Sequence, residues 1–397
     1  MDTRHAEGAT ASESGPRSSR GLMVLLTVFM FATAGTIHFQ TPMLPELARE
    51  FGATAAEVGW VPTLTFAGFL SGTLFLSPLG DSFDKRRLIL AKLACLIVAM
   101  IAMGAAPSLP LLVAAGLVAG VGASLSQDVV PLVAELAPPG ERGRAVGTVL
   151  SGLFLGILFG RIGGGFVAAF LGWRWMYAIS AAMLIAMAAA MLARCPSVPP
   201  KTRLAYGTLM RSLVELVRTR TDLRRASGVQ YLLGTCYGGF WATLALMIAA
   251  LHGLGPVAAG LIGIPGAAGI LVARPAGRWM DRRGVRPVVT TGIALVMAAY
   301  LVFGFGVVTI AAIVAGAVLL DSGLRAAMVA NQAFVTGVDP HTRSRSNTVF
   351  SVHNWGGYAT GAFLASLAWS RFGWFGVCAV GIVASALALT LYLLGRR

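Results

Sequence analysis

Apolar stretches of about 20 residues recur along the whole chain, separated by short breaks rich in glycine, proline or charge. A helix of that length crosses the roughly 30 Å of bilayer hydrocarbon. Cutting at the breaks predicts twelve spans, near 21–40, 57–79, 88–106, 110–137, 145–171, 175–193, 226–250, 256–280, 287–305, 308–336, 346–369 and 373–395. A transmembrane barrel would instead show short segments of alternating polarity, which the chain lacks. Residues 1–20 are polar and of mixed charge, and no small-residue cleavage site follows the first apolar run, so they read as a cytoplasmic tail before a retained helix. Between the sixth and seventh spans, residues 194–225 are proline-rich, then basic and amphipathic. They read as an interfacial linker between a first bundle, 21–193, and a second, 226–397. The fold expected is an all-α membrane protein with two bundles of six transmembrane helices.

Several spans carry a polar stripe. Asp321, Arg325, Met328 and Gln332 recur at helical spacing in the tenth; Ser124, Asp128, Pro131 and Glu135 in the fourth; Asn347, Ser351, Asn354 and Tyr358 in the eleventh. The seventh adds Gln230, Tyr237 and Trp241, with Gln127, Asn331 and Trp355 close to the stripes of their own spans. In a membrane such faces turn toward protein or water. They predict a hydrated central cavity lined by Gln127, Asp128, Arg161, Gln230, Tyr237, Trp241, Asn331, Gln332, Asn354 and Trp355. Aromatics beside a few charges suit an amphiphilic organic solute, although each alone also suits packing or an interface belt.

Composition agrees with a polytopic membrane protein: of 397 residues 56% are hydrophobic and 12% charged, against about 25% charged in a soluble domain. The formal charge of +15 invites a nucleic-acid reading, but the basic residues cluster in alternate loops, as at Lys85–Arg87, Arg142 with Arg144, and Arg282 with Arg283. That asymmetry excludes a nucleic-acid partner as its explanation and places both termini in the cytoplasm. Four scattered cysteines, with no CxxC pair, suggest neither a disulfide framework nor a metal site, and no phosphate-binding GxxxxGK[ST] loop is present. No cofactor is implied. No histidine–carboxylate metal cluster and no nucleophile–base pair stands out in the spans, so an enzyme is not expected.

The halves repeat. "PLGDSFDKRR" (78–87) answers "RWMDRRGVRP" (278–287), setting Asp81 on Asp281, and "PPGERGRAVG" (138–147) answers "DPHTRSRSNT" (339–348). The second match continues through Gly156/Gly357, Gly160/Gly361 and Trp173/Trp374. Duplicated bundles around a central site are a secondary-transporter architecture.

At these residues the chain resembles the major facilitator superfamily. The family loop signature G-x-L-A-D-R-x-G-R-R is degraded in "SPLGDSFDKR" (77–86), where Leu79, Asp81, Lys85 and Arg86 match. The second copy, "GRWMDRRGVR" (277–286), keeps Gly277, Asp281, Arg282, Gly284 and Arg286. The resemblance implies a cytoplasmic gate formed by Asp81, Lys85, Arg86, Gly277, Asp281 and Arg282. Each Asp could equally cap the next helix. The fifth-helix signature of the family's antiporters, G-x8-G-x3-G-P-x2-G-G, matches at Gly147, Gly156, Gly160, Gly164 and Gly165, with Arg161 in the proline position. Those glycines are expected to pack helices closely. The family's fourth-helix arginine is replaced by Gly116, so its proton-relay role does not transfer.

Four ionisable residues fall deep in the predicted spans: Asp128, Arg161, Asp321 and Arg325. Counting from the cytoplasmic helix ends puts Arg161 and Asp321 at a common depth of roughly 25 Å, and Asp128 near 15 Å. The resemblance permits a pair between the fifth and tenth helices across the bundles. Arg161, Asp321 and Arg325 are therefore read as a switchable charge pair with Arg325 competing for Asp321, or alternatively as a permanent structural bridge. Asp128, left to Arg325 or to a proton, is the first proton-carrier candidate, beside Asp321 and His353. The reading is a monomeric, proton-coupled major-facilitator transporter in a bacterial inner membrane, exporting a small amphiphilic or drug-like compound or a sugar. Proton-coupled uptake and a non-transporting receptor on the same fold are the alternatives.

Overall fold

A computed structural model describes residues 20–138, 140–200, 206–339 and 342–394; the side chain of Asp81 lies outside the described set. We label the spanning elements α1 (Arg20–Gly35), α2 (Ala55–Gly80), α3 (Lys85–Gly104), α4 (Leu109–Leu136), α5 (Arg142–Phe170), α6 (Trp173–Arg194), α7 (Thr221–His252), α8 (Pro256–Arg283), α9 (Val285–Val307), α10 (Ile310–Gly337) and α11 (Arg343–Leu394). All but α1 are long and apolar enough to cross a membrane. Gly373 takes φ 61, ψ −152 inside α11, a conformation open to glycine, and turns the chain between the predicted eleventh and twelfth spans. At the end of α7, Gly253 at φ 65 closes the helix as a left-handed cap. The side chain of Asp84 accepts the Arg87 N–H and starts α3.

One large apolar core draws on residues from Leu22 to Cys195 and admits Leu246, a second draws on residues from Val229 to Ala388 and admits Phe66, and a small third joins Leu213 and Leu216 to Val335 and Phe350. The repeat seen in the sequence reappears as packing. On α5, a Cβ added to Gly152, Gly156 or Gly164 would stand 2.3 Å from the carbonyl oxygens of Thr27, Phe31 and Phe39, and one on Gly160 would meet Gly35 Cα at 2.7 Å. In the second half, a Cβ at Gly357 or Gly361 would stand 2.1 or 2.0 Å from the carbonyl oxygens of Tyr231 and Thr235. Both helix pairs thus approach backbone to backbone. Gly147 departs from this pattern: nothing lies within 4 Å of its added Cβ, so its expected packing role is corrected.

Gly361→Leu should therefore overpack α7 against α11 by about 3 kcal/mol or more and remove the monodisperse peak in detergent size-exclusion chromatography. Gly147→Leu, entering open space, should leave that peak unchanged.

The halves touch at the end away from the basic loops. There Trp60 lies 5.0 Å from Phe363 between ring centroids, and a Cβ on Gly165 would stand 2.4 Å from the Pro256 carbonyl oxygen. Trp173 Nε1 donates to Glu50 Oε2 at this end, and Arg174 adds an ion pair. Partial burial raises the Glu50 carboxyl, but these two partners outweigh it and hold the group below its ordinary range. Toward the basic end the seam widens into a cavity of about 280 Å³ lined by Ser77, Lys85, Asp128, Glu135, Leu209 and Asn347, among others. The interfacial linker contains a helix, Tyr206–Thr219, that buries Leu209, Leu213 and Leu216, the first two lining this cavity, and Tyr206 Oη donates to the Phe75 carbonyl. α7 already begins at Thr221, inside the predicted linker.

Candidate functional site

Mid-chain positions of α5, α7, α8 and α10 converge on one cluster. Arg161, 4% exposed, donates from Nη2 to Tyr237 Oη at 2.8 Å and stacks its guanidinium 3.5 Å from the ring centroid of Trp241. Asp321 lies 3.8 Å from Arg325 Nε, one helical turn away on the same face of α10. The Arg325 guanidinium also sits 5.5 Å from the centre of the Phe154 ring. Arg161, Tyr237, Asp321 and Arg325 share the wall of a cavity of about 20 Å³, closed down to about the size of one water.

Equal depth was legible, and the partners were not. The expected direct pair of Arg161 with Asp321 is not formed; Arg161 turns to a phenol and an indole, and Asp321 keeps the competing Arg325. An aromatic face holds a desolvated guanidinium for about 2 kcal/mol. That explains how a cation survives among glycines and aliphatic residues with no carboxylate in contact. A second reason is room: a Cβ on Gly266 would stand 2.8 Å from Trp241 Cζ2 and 3.4 Å from Asp321 Oδ2, and one on Gly269 2.7 Å from the Asp321 carbonyl oxygen. α8 is broken there into Pro256–Leu261, Gly263–Gly266 and Ala268–Arg283, which lets the chain wrap the charges.

Around the charges runs an aromatic layer that crosses between the halves. Tyr358 stacks on Tyr237 at 4.7 Å, Trp355 lies 3.9 Å from Phe69, and Phe66 contacts both Trp355 and Tyr358. Gln230 Nε2 donates to Asn354 Oδ1 at 2.9 Å, and Gln332 Nε2 to Asn347 Oδ1 at 2.7 Å. Asn331 is buried with Nδ2 unpartnered, and Gln127 lines the cavity at the basic end. His353 donates from Nδ1 to the Val349 carbonyl at 2.8 Å on its own helix, because a carbonyl only accepts.

Asp128 does have a committed cation, which corrects the expectation that left it to Arg325 or a proton. Lys92 Nζ lies 2.5 Å from Asp128 Oδ2, with both side chains buried, and also donates to Ser77. Lys92 is a deep ionisable residue that the sequence reading passed over. Its signal was a lone lysine in "LILAKLACLIVAM" (88–100), lost beside the loop cluster that precedes it. Seven residues along each helix, Lys85 holds Glu135 at 3.0 Å, a second rung of the same ladder between α3 and α4.

The gate residues form no bond between the halves among the described side chains. Lys85 holds Glu135, and Arg86 Nη2 donates to the Leu192 carbonyl at 2.5 Å, both inside the first half. Asp281 and Arg282 are exposed, with Gly277 beside open space. Asp81 falls on a side chain outside the described residues. Of the five signature glycines, Gly156, Gly160 and Gly164 pack on α1 or the turn after it, and Gly165 packs on α8.

A family model described as Major Facilitator Superfamily matches residues 24–274. A probable transporter of Streptomyces coelicolor is 36% identical over 378 residues, covering 93% of this chain and 86% of the relative. An uncharacterized transporter of Escherichia coli O157:H7 is 30% identical over 375 residues, 94% of this chain and 95% of its own. Among solved structures, a bacterial homolog of the human lysosomal transporter Spinster, inward-facing and unoccupied, superposes with a TM-score of 0.78 at 14% identity, covering 95% of this chain and 97% of that one.

Proposed function

This chain belongs to the major facilitator superfamily and is a multi-pass membrane transporter rather than an enzyme; from that premise we propose that it is a proton-coupled secondary carrier. In this reading it exports a small amphiphilic or drug-like compound, or a sugar, from a bacterial cytoplasm, and it does so by alternating access as a monomer. The supporting observation is the cluster of Arg161, Tyr237, Trp241, Asp321 and Arg325 at a seam sealed on one side and open on the other. Separating buried charges from their partners costs several kcal/mol, so a solute or proton that substitutes for a partner biases which way the seam opens. The wider end carries the basic loops, which the positive-inside rule assigns to the cytoplasm.

With Lys92 committed to Asp128, the proton role passes to Asp321 in our reading. Gate opening at Lys85, Arg86, Asp281 and Arg282 accords with an inward-facing state. The arginine in the proline position of the antiporter signature keeps proton-coupled uptake as the second reading.

In proteoliposomes with an imposed pH gradient, a panel of drug-like amphiphiles and sugars should contain at least one compound that stimulates proton flux. A compound that raises the melting temperature of the purified protein yet stimulates no flux would support the receptor reading instead.

A further inference from the structure

We propose that the carried solute is an organic anion with an apolar body, drawn from the basic end along the seam between α5 and α8. The proposal deepens the transporter reading and rests on it. Its first support is a count of unpartnered groups in the cluster. Arg161 Nε is a buried donor without an acceptor, and Arg325 Nε makes no hydrogen bond and stands 3.8 Å from Asp321, the one carboxylate of the cluster, which Trp241 also faces. Two guanidiniums face one carboxylate, so the cluster carries an excess of positive charge and of donors. A carboxylate-bearing solute supplies acceptors to the orphaned donors and neutralises that excess. A cationic solute would add to it.

The second support is the stripe along which α5 and α8 run past each other. On α5 the positions 147, 151, 154, 158, 161 and 165 share a face, as do 256, 260, 263, 267, 270, 274, 277 and 281 on α8. At the sealed end the helices touch, with added Cβ atoms on Gly165 and Gly260 meeting the carbonyl oxygens of Pro256 at 2.4 Å and Arg161 at 2.7 Å. Phe154, Ile157, Leu158 and Ile270 line the small cavity where the helices begin to part. Beyond it, nothing lies within 4 Å of an added Cβ on Gly147 or Gly277. On α8 itself a shallow groove lined by Ala273, Gly277 and their neighbours exposes Arg274 and Arg278, one helical turn apart, with Asp281 beside them. An apolar wall with two guanidiniums at its mouth and two at its inner end suits an amphiphilic anion that is handed from the outer pair to the inner pair.

Three probes with one ring system and different charge test this: 1-naphthoate, 1-naphthamide and 1-naphthylmethylammonium. Radiolabelled 1-naphthoate should bind the purified protein, and the amide and the ammonium should displace it at least tenfold less effectively than unlabelled naphthoate. The paired change Arg274→Gln with Arg278→Gln should slow naphthoate exchange in proteoliposomes at least fivefold, while equilibrium binding in detergent stays within twofold. Equal or better competition by the ammonium or the amide, or no naphthoate binding up to millimolar concentration, overturns the anion assignment and leaves the transporter reading standing. An unchanged exchange rate in the paired variant overturns the entry path. Tight naphthoate binding with no exchange in the unaltered protein would strike the transporter reading itself.

Discussion

Arg161→Ala is expected to yield a folded protein that no longer transports. The guanidinium is held by Tyr237 and Trp241, both uncharged, and Asp321 retains Arg325 at 3.8 Å when Arg161 is removed. No carboxylate is stranded, so the folding loss is limited to a hydrogen bond and a cation–π contact, about 3 kcal/mol together. The transport loss is larger, because the cluster then carries no net positive charge and loses its fixed donor in the seam. We expect substrate exchange to fall at least about a hundredfold, near 2.7 kcal/mol in the barrier. Arg325→Ala provides the contrast: it removes the ion-pair partner of Asp321 and should cost more stability than Arg161→Ala, a loss that adding Asp321→Asn should reduce. Exchange by Arg161→Ala within threefold of the unaltered protein would remove the residue from the mechanism.

Lys92→Met should have the largest effect on stability. Its partner Asp128 would remain buried, with Ser77 as its remaining polar neighbour, and breaking a buried pair from one side costs about 3–5 kcal/mol. Folded protein should be nearly absent at 37 °C. Adding Asp128→Leu should restore it, because an apolar pair of similar volume often replaces a buried ion pair without loss. The double variant should also transport with its pH dependence intact, which would fix the pair as structural. Loss of pH dependence in the folded double variant would return the proton role to Asp128.

Much of the fold was legible because the hydrocarbon core imposes its length on each span and period-3.6 stripes show which faces turn inward. The depth shared by Arg161 and Asp321 followed from rise per residue alone. Which groups they touch did not, since that depends on helix rotation and on neutral rings that a search for opposite charges ignores. Lys92 shows the same weakness from the other side. Depth counting favoured Asp321 over Asp128 as the partner of Arg161, but the lysine one helix away from Asp128 went unweighed. Gly147 fits the glycine signature by spacing yet faces a gap, because helices that cross at an angle pack over only part of their length. The breaks in α8 at Ile262 and Ala267 had a visible cue in "GLIGIPGAAG" (260–269), where glycine recurs every third residue around Pro265.

Proton coupling rests, in our reading, on a carboxylate at the inner end of the seam that links proton binding to opening. Asp321→Asn keeps the shape and a carbonyl acceptor for Arg325 while removing the titrating proton. In proteoliposomes, substrate counterflow at equal pH should persist in this variant, and accumulation driven by an imposed pH gradient should vanish. Gradient-driven accumulation at the level of the unaltered protein would contradict the account.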